Sequence, residues 1–387
     1  MLLVVFHNVN QVLTREKATI FCLLKMESCS DFLPWLEPDT AIKIFMYLED
    51  PSDLVRASAV SHSWRQFVIA NGLCKQMSVR MFPELSGVAC ATIEPMGVRS
   101  NNSMEWESLE RDHRVYAFFA RGLASFVRND CISKAISASS TDNYPEESIQ
   151  NTLQPNDSYW SSKGKSDPSV PETLTYKLTA NLCVITEISI RPFKAYFQVG
   201  GPIYSAKAVR FHMGHPKSSM NIGSDLMDEF MAGRISAEDK FTWTYTSPEF
   251  PMAQENCLQK FKLPEPVLCI GGFLQIELLG RVQRQEIDGL FYICVSHVQV
   301  LGRPFSPMFD VEMLDASGKC ILKYYLEAKH CLSPKRSSEG EPSAPSRLRS
   351  FMAGFMQGGM RGWEQIILNS LLGNVAGDDE SDEELVA

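Results

Sequence analysis

The chain has 387 residues, of which 44% are hydrophobic and 21% are charged, and its formal net charge is −9 at pH 7. This length exceeds that of a typical single domain, and the composition is that of a soluble globular protein. The acidic balance argues against a general nucleic-acid-binding role, because such proteins need a basic surface to neutralise phosphates.

The N-terminal residues 1–30 contain two apolar runs, Leu2–Phe6 and Ala18–Leu24. Neither run is long enough to span a membrane. The charges of Arg15–Lys17, directly before the second run, do not match the start of a signal peptide. We therefore expect no membrane span and interpret residues 1–30 as an extension without fixed structure. Our hypothesis is that Met26 is the usual start of the chain.

Residues 31–82 predict three short helices in close succession and a fourth helix over Leu73–Phe82. Pro51 suits a first helical position, and Asn71-Gly72 suits a helix end. Three side chains can cap the predicted helix starts by accepting a hydrogen bond from a backbone N–H group: Asp39, Asp50 and Ser61. The apolar residues at helical spacing are Ala41, Ile42, Phe45, Met46, Leu48, Leu54, Ala57, Val60, Trp64, Phe67 and Val68. Helices this short need packing partners, either in the same chain or in another protein.

This helical segment resembles the F-box family. The matching features are Leu36, Ile42, Ile44, Phe45, Tyr47–Pro51, Asp53-Leu54, Val60-Ser61 and Trp64-Arg65. The family places Leu-Pro together at this start, whereas Glu37 separates Leu36 from Pro38 in this chain. The resemblance implies docking onto the Skp-type adaptor of a cullin-based ubiquitin ligase. It implies that the adaptor-binding residues are Leu36, Pro38, Ile42, Ile44, Phe45, Leu48, Pro51, Leu54, Val60 and Trp64. The alternative is a generic helical subdomain with Trp64 as an ordinary core residue.

Residues 83–135 read as a connector followed by a linker helix. The stretch Gly87–Ser103 contains Gly, Pro and Asn without a steady period, so we predict little regular structure there. A helix is predicted over Met104–Arg128 from an apolar stripe comprising Trp106, Leu109, His113, Tyr116, Phe119, Ala120 and Leu123. We expect His113 to be a packed residue at the edge of a core, because no second His or carboxylate motif accompanies it.

From residue 136 to residue 304 the helical period gives way to short alternating runs separated by turn residues. The predicted strands are Leu174–Leu178, Val184–Pro192, Ser205–Met213, Phe241–Tyr245, Gln259–Leu263, Gly272–Leu279 and Tyr292–Leu301. Many short strands with turn signals between them favour an antiparallel β-sandwich or jelly roll. The fold class is therefore predicted as α+β and multidomain, with an N-terminal three-helix F-box, a linker helix and a β-sandwich.

The predicted sandwich resembles the galactose-binding-like jelly rolls, which include discoidin-type domains. The features that carry this resemblance are Ala138-Ser139-Ser140, Tyr144-Pro145, Ser148-Ile149, Leu153, Tyr159–Ser162, Pro171–Leu178, Leu278-Leu279-Gly280 and Val298–Gly302. Together with the F-box, the layout resembles a group of plant F-box proteins. Such folds bind ligands in loops at one end of the sandwich. The resemblance implies that the ligand- or target-binding residues are Asp142, Asn143, Tyr144, Tyr159 and Lys163. For Trp160 we favour a role in core packing over ligand contact.

The C-terminal part divides into three segments. Residues 305–330 predict a β-hairpin around Asp315–Gly318, which extends the sandwich or forms a small appendage. Residues 331–350 are rich in Ser and Pro and read as a mobile linker. Residues 351–387 predict an amphipathic, Met-rich helix and an acidic tail; packing back on the body and binding a partner remain equal alternatives for this helix.

The sequence contains no recognisable catalytic constellation, metal-ligand set or cofactor motif. His212 and His215 are spaced H-x-x-H, but a zinc site needs three or four ligands. The 11 cysteines include no CxxC pair, and their odd number predicts reduced thiols and a location in the cytoplasm, the nucleus or both. Two functions remain open: a non-catalytic substrate receptor of a Skp–cullin–F-box ubiquitin ligase, or a carbohydrate- or peptide-binding module without a ligase role. In the first, the partners are the adaptor, a cullin and an unknown target protein.

Overall fold

The structure is a computed structural model, and it describes residues 31, 33–94, 105–123, 128–217, 240–315 and 317–326. The chain divides into two compact units, Met1–Ser333 and Pro334–Ala387, and all described residues belong to the first. The predicted N-terminal extension, the start at Met26, the linker 331–350 and the C-terminal segment 351–387 lie outside the described residues.

Five α-helices occupy the described N-terminal part: α1 Pro38–Met46, α2 Pro51–Ala57, α3 His62–Ala70, α4 Leu73–Met81 and α5 Glu105–Leu123. Two predicted caps are confirmed, because the Asp50 side chain accepts from the Ser52 N–H at 2.8 Å and Ser61 accepts from the Trp64 N–H at 3.2 Å. The predicted cap at Asp39 is wrong. Helix α1 begins one residue earlier, at Pro38, and the Glu37 side chain at its N-cap makes no capping bond. Pro38 has no N–H group that needs an acceptor.

Two antiparallel sheets form a β-sandwich, as predicted. The first contains β3 Ile132–Ala138, β5 Glu172–Leu178, β8 Ala206–Pro216, β9 Phe241–Thr246, β10 Phe250–Pro251 and β12 Phe273–Arg281, and the second contains β2 Asn129–Asp130, β4 Trp160–Ser161, β6 Leu182–Lys194, β7 Ile203–Tyr204, β11 Gln259–Ile270 and β15 Cys294–Pro304. The strand order of the first sheet is β10-β8-β12-β5-β3 with β9 beside β8, and that of the second is β11-β6-β15-β2 with β4 beside β15 and β7 beside β6. A short hairpin joins β13 Gln283–Arg284 to β14 Phe291–Tyr292.

The sandwich begins earlier than the predicted residue 136, because β2 and β3 both belong to it. Strand β3 pairs with β5, but the register shifts twice, between Ile132 and Lys134 and between Ala135 and Ser137. Each shift reverses the inside–outside alternation. The sequence of β3 therefore lacks the period of two by which the other long strands were predicted.

A third sheet joins two segments that the sequence analysis had separated. Its order is β1-β17-β16, with β1 Val88–Glu94, β16 Phe309–Met313 and β17 Cys320–Tyr325. Strands β16 and β17 confirm the predicted hairpin. Strand β1 contradicts the expectation of little regular structure in the connector. It pairs with β17 in parallel, and an irregularity between Val88 and Cys90 interrupts the alternation of its side chains. The hairpin is therefore neither a sandwich extension nor a free appendage.

One hydrophobic core connects the helices, the third sheet and one end of the sandwich. It includes Phe45 of α1, Phe119 of α5, Phe309 of β16 and Leu182 of β6, all buried. The rings of Phe119 and Phe305 stack with centroids 4.7 Å apart. Because aromatic side chains contribute large buried areas, this core fixes the helices relative to the sandwich.

Candidate functional site

The helical segment buries most of the residues predicted to bind an adaptor. Six of them are buried within this chain: Ile44, Phe45, Leu48, Pro51, Leu54 and Trp64. Leu54 has no exposed surface and Trp64 is 3% exposed. In the chain by itself these six side chains are therefore packed inside the protein, and their contact with an adaptor remains a prediction. Their apolar spacing reflects the internal core, because the same periodicity that suits a docking face also suits a face that packs on its own chain.

The other four predicted residues reach the surface to different degrees. Pro38 is exposed, Leu36 and Ile42 are partly buried against the core, and Val60 is 44% exposed. Three large apolar side chains that the prediction omitted are also exposed: Trp35, Tyr47 and Met81. We call Trp35, Tyr47, Val60 and Met81 the helical apolar surface. Trp35 and Tyr47 lie outside the helical stripes, so the periodicity of the sequence gave no signal for them.

Asp31 holds the turn that carries Trp35 beside the start of α3. Its carboxylate accepts from the Trp64 indole N–H at 2.8 Å, from the Leu33 N–H at 3.1 Å and from the hydroxyls of Ser61 and Ser63. Burial acts to raise the pKa of Asp31, but the four hydrogen bonds from Ser63, Trp64, Leu33 and Ser61 together hold it below its usual value. The carboxylate thus stays charged and keeps Trp35 and Val60 at the same end of the helical segment.

Arg80 makes an equivalent connection at the other end of α1. Its guanidinium donates to the carbonyl of Met46 and, at 3.0 Å, to the carbonyl of Leu48. These carbonyls flank the exposed Tyr47, and Met81 directly follows Arg80. The two exposed side chains are therefore held on a rigid part of the helical segment.

At one end of the sandwich a buried ion pair organises three loops. The Arg281 guanidinium, with no exposed side-chain surface, bonds to the Glu172 carboxylate, to the Ser162 hydroxyl at 2.8 Å and to the carbonyls of Val170, Lys163 and Phe291 at 3.1, 2.9 and 3.0 Å. The hydroxyls of Ser139 and Ser140 donate to the same carboxylate. No sequence pattern predicts this pair, because Arg281 and Glu172 are 109 residues apart and match no short motif.

The predicted ligand-binding residues lie on or beside these loops. Asp142, Asn143, Tyr144 and Lys163 are exposed, and the Asp142 N–H donates to the Ser161 carbonyl at 3.1 Å. Tyr159 is partly buried, and its hydroxyl donates to Glu147 at 2.8 Å. Burial raises the pKa of Asp142, the nearby Glu147 and Asp288 raise it further, and Lys163 acts in the opposite direction. All five predicted residues therefore lie at one end of the sandwich. That they bind a ligand or target remains a prediction.

Trp160 is fully buried, and its indole N–H donates to the Ser140 carbonyl at 3.0 Å. The prediction that it packs in the core is confirmed. Its neighbour Tyr159 begins a row of aromatic contacts that leads to the surface. The Tyr159 ring stacks on the buried Phe193 with centroids 3.7 Å apart, and the ring centroids of Phe193 and the exposed Phe197 are 6.2 Å apart.

Four strongly exposed apolar side chains at this end were not predicted. Tyr196, Phe197 and Val199 lie in the loop between β6 and β7, where Val199 is 97% exposed, and Ile287 lies in the loop between β13 and β14. We call these four the loop apolar surface. The sequence Ala195–Gly201 contains one pattern that predicts such a surface. Two aromatic residues and a valine precede a Gly-Gly pair, which favours a turn of the chain.

In the described part of the chain, no cluster of three or more His, Cys, Asp or Glu side chains could hold a metal ion, and none of the described helices is long and apolar enough for a membrane crossing. The two histidines with H-x-x-H spacing have other contacts. His212 contacts Glu277 at 3.1 Å and Thr246 at 3.0 Å, and the Nδ1 atom of the buried His215 lies 3.0 Å from the Pro216 carbonyl oxygen.

Comparison with known proteins gives two kinds of match. Residues 38–80 match the family model described as F-box-like. Over 310 residues the chain is 52% identical to the F-box protein At4g00755 of Arabidopsis thaliana, a match that covers 76% of this chain and 81% of that relative.

Two similar solved structures each match less than half of the chain. One is the family 32 carbohydrate-binding module of Clostridium perfringens NanJ in complex with galactose, at 13% identity and a TM-score of 0.28, covering 45% of this chain and 99% of that one. Another is a fucolectin from striped bass serum, Morone saxatilis, at 12% identity and a TM-score of 0.27, covering 46% of this chain and 47% of that one.

Proposed function

Because this chain belongs to the F-box protein family, we propose that it is the substrate-recognition subunit of a Skp–cullin–F-box ubiquitin ligase. Its helical segment binds the Skp-type adaptor and through it a cullin, and its β-sandwich recruits the protein to be ubiquitinated. The chain supplies no acid, base or nucleophile in this role. It accelerates the reaction by holding the target near the ubiquitin-charged enzyme, which raises the effective concentration of the target lysines.

The observation that carries the proposal is the helical apolar surface. Trp35 is 61% exposed and Tyr47 is 52% exposed, within a segment whose other large apolar side chains are mostly buried. Exposed Trp and Tyr side chains that are held in place are the side chains that most often dominate protein–protein binding energies. Asp31 and Arg80 hold them through hydrogen bonds to the helices. The surface therefore suits a stable protein partner.

The connection between the helices and the sandwich also supports a positioning role. Helix α5 contacts α3 through the ion pair of Arg65 and Glu110 at 3.0 Å, and it stacks on the third sheet through Phe118 and Tyr324 at 5.0 Å. A receptor that acts by position benefits from a rigid connection, because a fixed geometry limits the volume that the bound target can explore. We place this function in the cytoplasm or nucleus, in keeping with the free cysteines Cys90 and Cys257 at the surface.

The test is affinity purification of the tagged full chain, with the Skp-type adaptor and the cullin detected in the eluate. The variant Trp35→Ala/Val60→Asp changes two exposed side chains, and we expect it to reduce adaptor recovery about tenfold or more. The matched control is Val199→Asp, which places the same charge on an exposed valine of the sandwich.

Adaptor recovery that is equal for the two variants would contradict the proposed contact surface. The variant Leu54→Asp is unsuitable for this test, because Leu54 is completely buried and a charge there disrupts the core itself.

A second candidate function is a carbohydrate- or peptide-binding module without a ligase role. The exposed rings of Tyr144, Tyr196 and Phe197 favour it, because sugar and peptide ligands commonly bind exposed aromatic side chains beside polar groups. Binding of a glycan or peptide by a chain that recovers neither adaptor nor cullin would support this alternative over the first.

A further inference from the structure

The loop apolar surface lies on two loops that the structure joins by hydrogen bonds. The side-chain amide of Gln254 donates to the Ile203 carbonyl at 2.8 Å and contacts Gln283 at 3.2 Å, so it connects β7, which follows the first loop, to β13, which precedes the second. The rings of Tyr204 and Tyr292 also meet at 6.3 Å. Tyr196, Phe197, Val199 and Ile287 therefore lie at the same end of the sandwich.

Side-chain contacts fix the first loop in place. Phe197 lies against Phe193, and the Tyr196 hydroxyl accepts from the Asn256 side-chain amide at 2.6 Å. The Gln198 side chain accepts from the Tyr204 hydroxyl at 2.6 Å. An exposed apolar surface that is already ordered loses little conformational freedom when a partner binds. Exposed and ordered apolar groups of this kind mark interaction sites.

Carboxylates border this surface. Glu286 and Asp288 flank Ile287, and Glu255 precedes the Asn256 that contacts Tyr196; all three acids are exposed. A hydrogen bond from the Tyr292 hydroxyl, 2.5 Å from the Asp288 carboxylate, lowers the pKa of that carboxyl and favours its charged form.

The cations at this end are mostly engaged in contacts. Lys194 lies 5.4 Å from the centre of the Tyr196 ring, and Arg284 donates to the Gly289 carbonyl at 2.6 Å. Lys163 and Lys165 on the neighbouring loop are exposed, but the exposed acids Asp142 and Glu146 offset them. Lys194 and Arg284 keep their charges in these contacts with neutral groups, but the three bordering carboxylates outnumber these two cations by one. The resulting net negative charge at the loop apolar surface favours a positively charged partner.

We propose that the loop apolar surface, bordered by Glu255, Glu286 and Asp288, binds a segment of the target protein that is rich in Lys and Arg and carries large apolar side chains. This inference rests on the proposed receptor function and names the chemistry of its target. Apolar side chains of the segment would pack on Phe197, Val199 and Ile287, and its cations would pair with the bordering carboxylates.

The probe is a library of random 12-residue peptides displayed on phage, selected against the tagged full chain. Synthetic copies of the selected peptides are then titrated by fluorescence polarisation. We expect them to be net positive with at least two large apolar residues, and to bind more weakly as salt screens the carboxylates. The double variants Phe197→Ser/Val199→Ser and Glu255→Lys/Glu286→Lys should each weaken binding about tenfold or more.

Two matched controls use exposed residues elsewhere: Leu314→Ser in the β16–β17 turn and Glu265→Lys on β11. Selected peptides that are neutral or acidic, the absence of any selected peptide, or equal affinity for wild type and both double variants would overturn the inference. Adaptor recovery measured on the same samples separates the two proposals. If adaptor recovery is lost while the selected peptides still distinguish the wild type from the double variants, the ligase role alone is refuted. If the adaptor is recovered but the peptides make no such distinction, this inference alone is refuted.

Discussion

The buried pair of Arg281 and Glu172 determines the structure of the loops at the end of the sandwich. The substitution Arg281→Met removes all donors of the guanidinium while keeping a long apolar side chain. The Glu172 carboxylate then retains only the hydroxyls of Ser139 and Ser140 as partners among those described above. We expect this variant to lower the free energy of unfolding substantially, because an ionised group buried without its opposite charge is strongly destabilising.

The magnitude follows from the burial of both groups. The Arg281 side chain is 0% exposed and the Glu172 side chain is 2% exposed, so water does not replace the lost contact. Breaking such a pair costs about 3–5 kcal/mol. A chain of this size exposes much surface on unfolding, so its urea dependence is roughly 3 kcal/mol per molar or more, and the unfolding midpoint falls by at most about 1–1.7 M. The double variant Glu172→Gln/Arg281→Met removes both charges and should lose less than Arg281→Met alone.

Urea unfolding followed by circular dichroism measures the effect, and hydrogen exchange locates it in residues 139–148 and 160–172. The control is Arg284→Met, which removes an exposed arginine three positions later. A midpoint for Arg281→Met that falls no further than that of Arg284→Met would refute the assigned role. A double variant that is less stable than Arg281→Met would refute the charge-pair explanation.

Two further predictions concern titratable groups. Burial and the nearby Arg65 lower the pKa of His113 from 6.5 to about 4, although Glu110 acts in the opposite direction. The unfolded chain therefore binds a proton below pH 6.5 that the folded chain excludes, and the free energy of unfolding should fall by about 3 kcal/mol between pH 6.5 and 4. In His113→Leu this part of the pH dependence should vanish. Urea titrations at several pH values measure it, and a free energy of unfolding that falls as steeply with decreasing pH in the variant as in the wild type would contradict the reasoning. Iodoacetamide at neutral pH should modify the exposed Cys257 well before the buried Cys269, whose thiol pKa burial raises to about 12. Peptide mass spectrometry measures both rates, and equal rates in the folded chain would contradict the prediction.

The helices and most long strands could be predicted because their periods are regular. The Asp50 and Ser61 caps follow from short-range chemistry, and strands β5, β6 and β9 alternate or are bounded by clear turn residues. Strands β1 and β3 could not be predicted in this way. Register irregularities interrupt their alternation, and β1 is paired with a strand more than 200 residues later in the chain.

The candidate sites were predicted less completely than the fold. Apolar periodicity identifies a buried face but does not say which protein covers it, so Leu54 and Trp64 were assigned to an adaptor although they belong to the core of this chain. The exposed Trp35, Tyr47 and Phe197 lie in turns and loops without a period. Their exposure depends on long-range contacts that the sequence pattern does not show.

The most direct test of the receptor function is a hydrogen-exchange footprint of the purified Skp-type adaptor on the purified chain. We predict slower exchange in residues 33–36, 46–48 and 59–61, which carry Trp35, Tyr47 and Val60, with no change in the loops 195–201 and 285–289. Slower exchange confined to those loops, or none in the helical segment, would contradict the central claim that the helical apolar surface binds the adaptor.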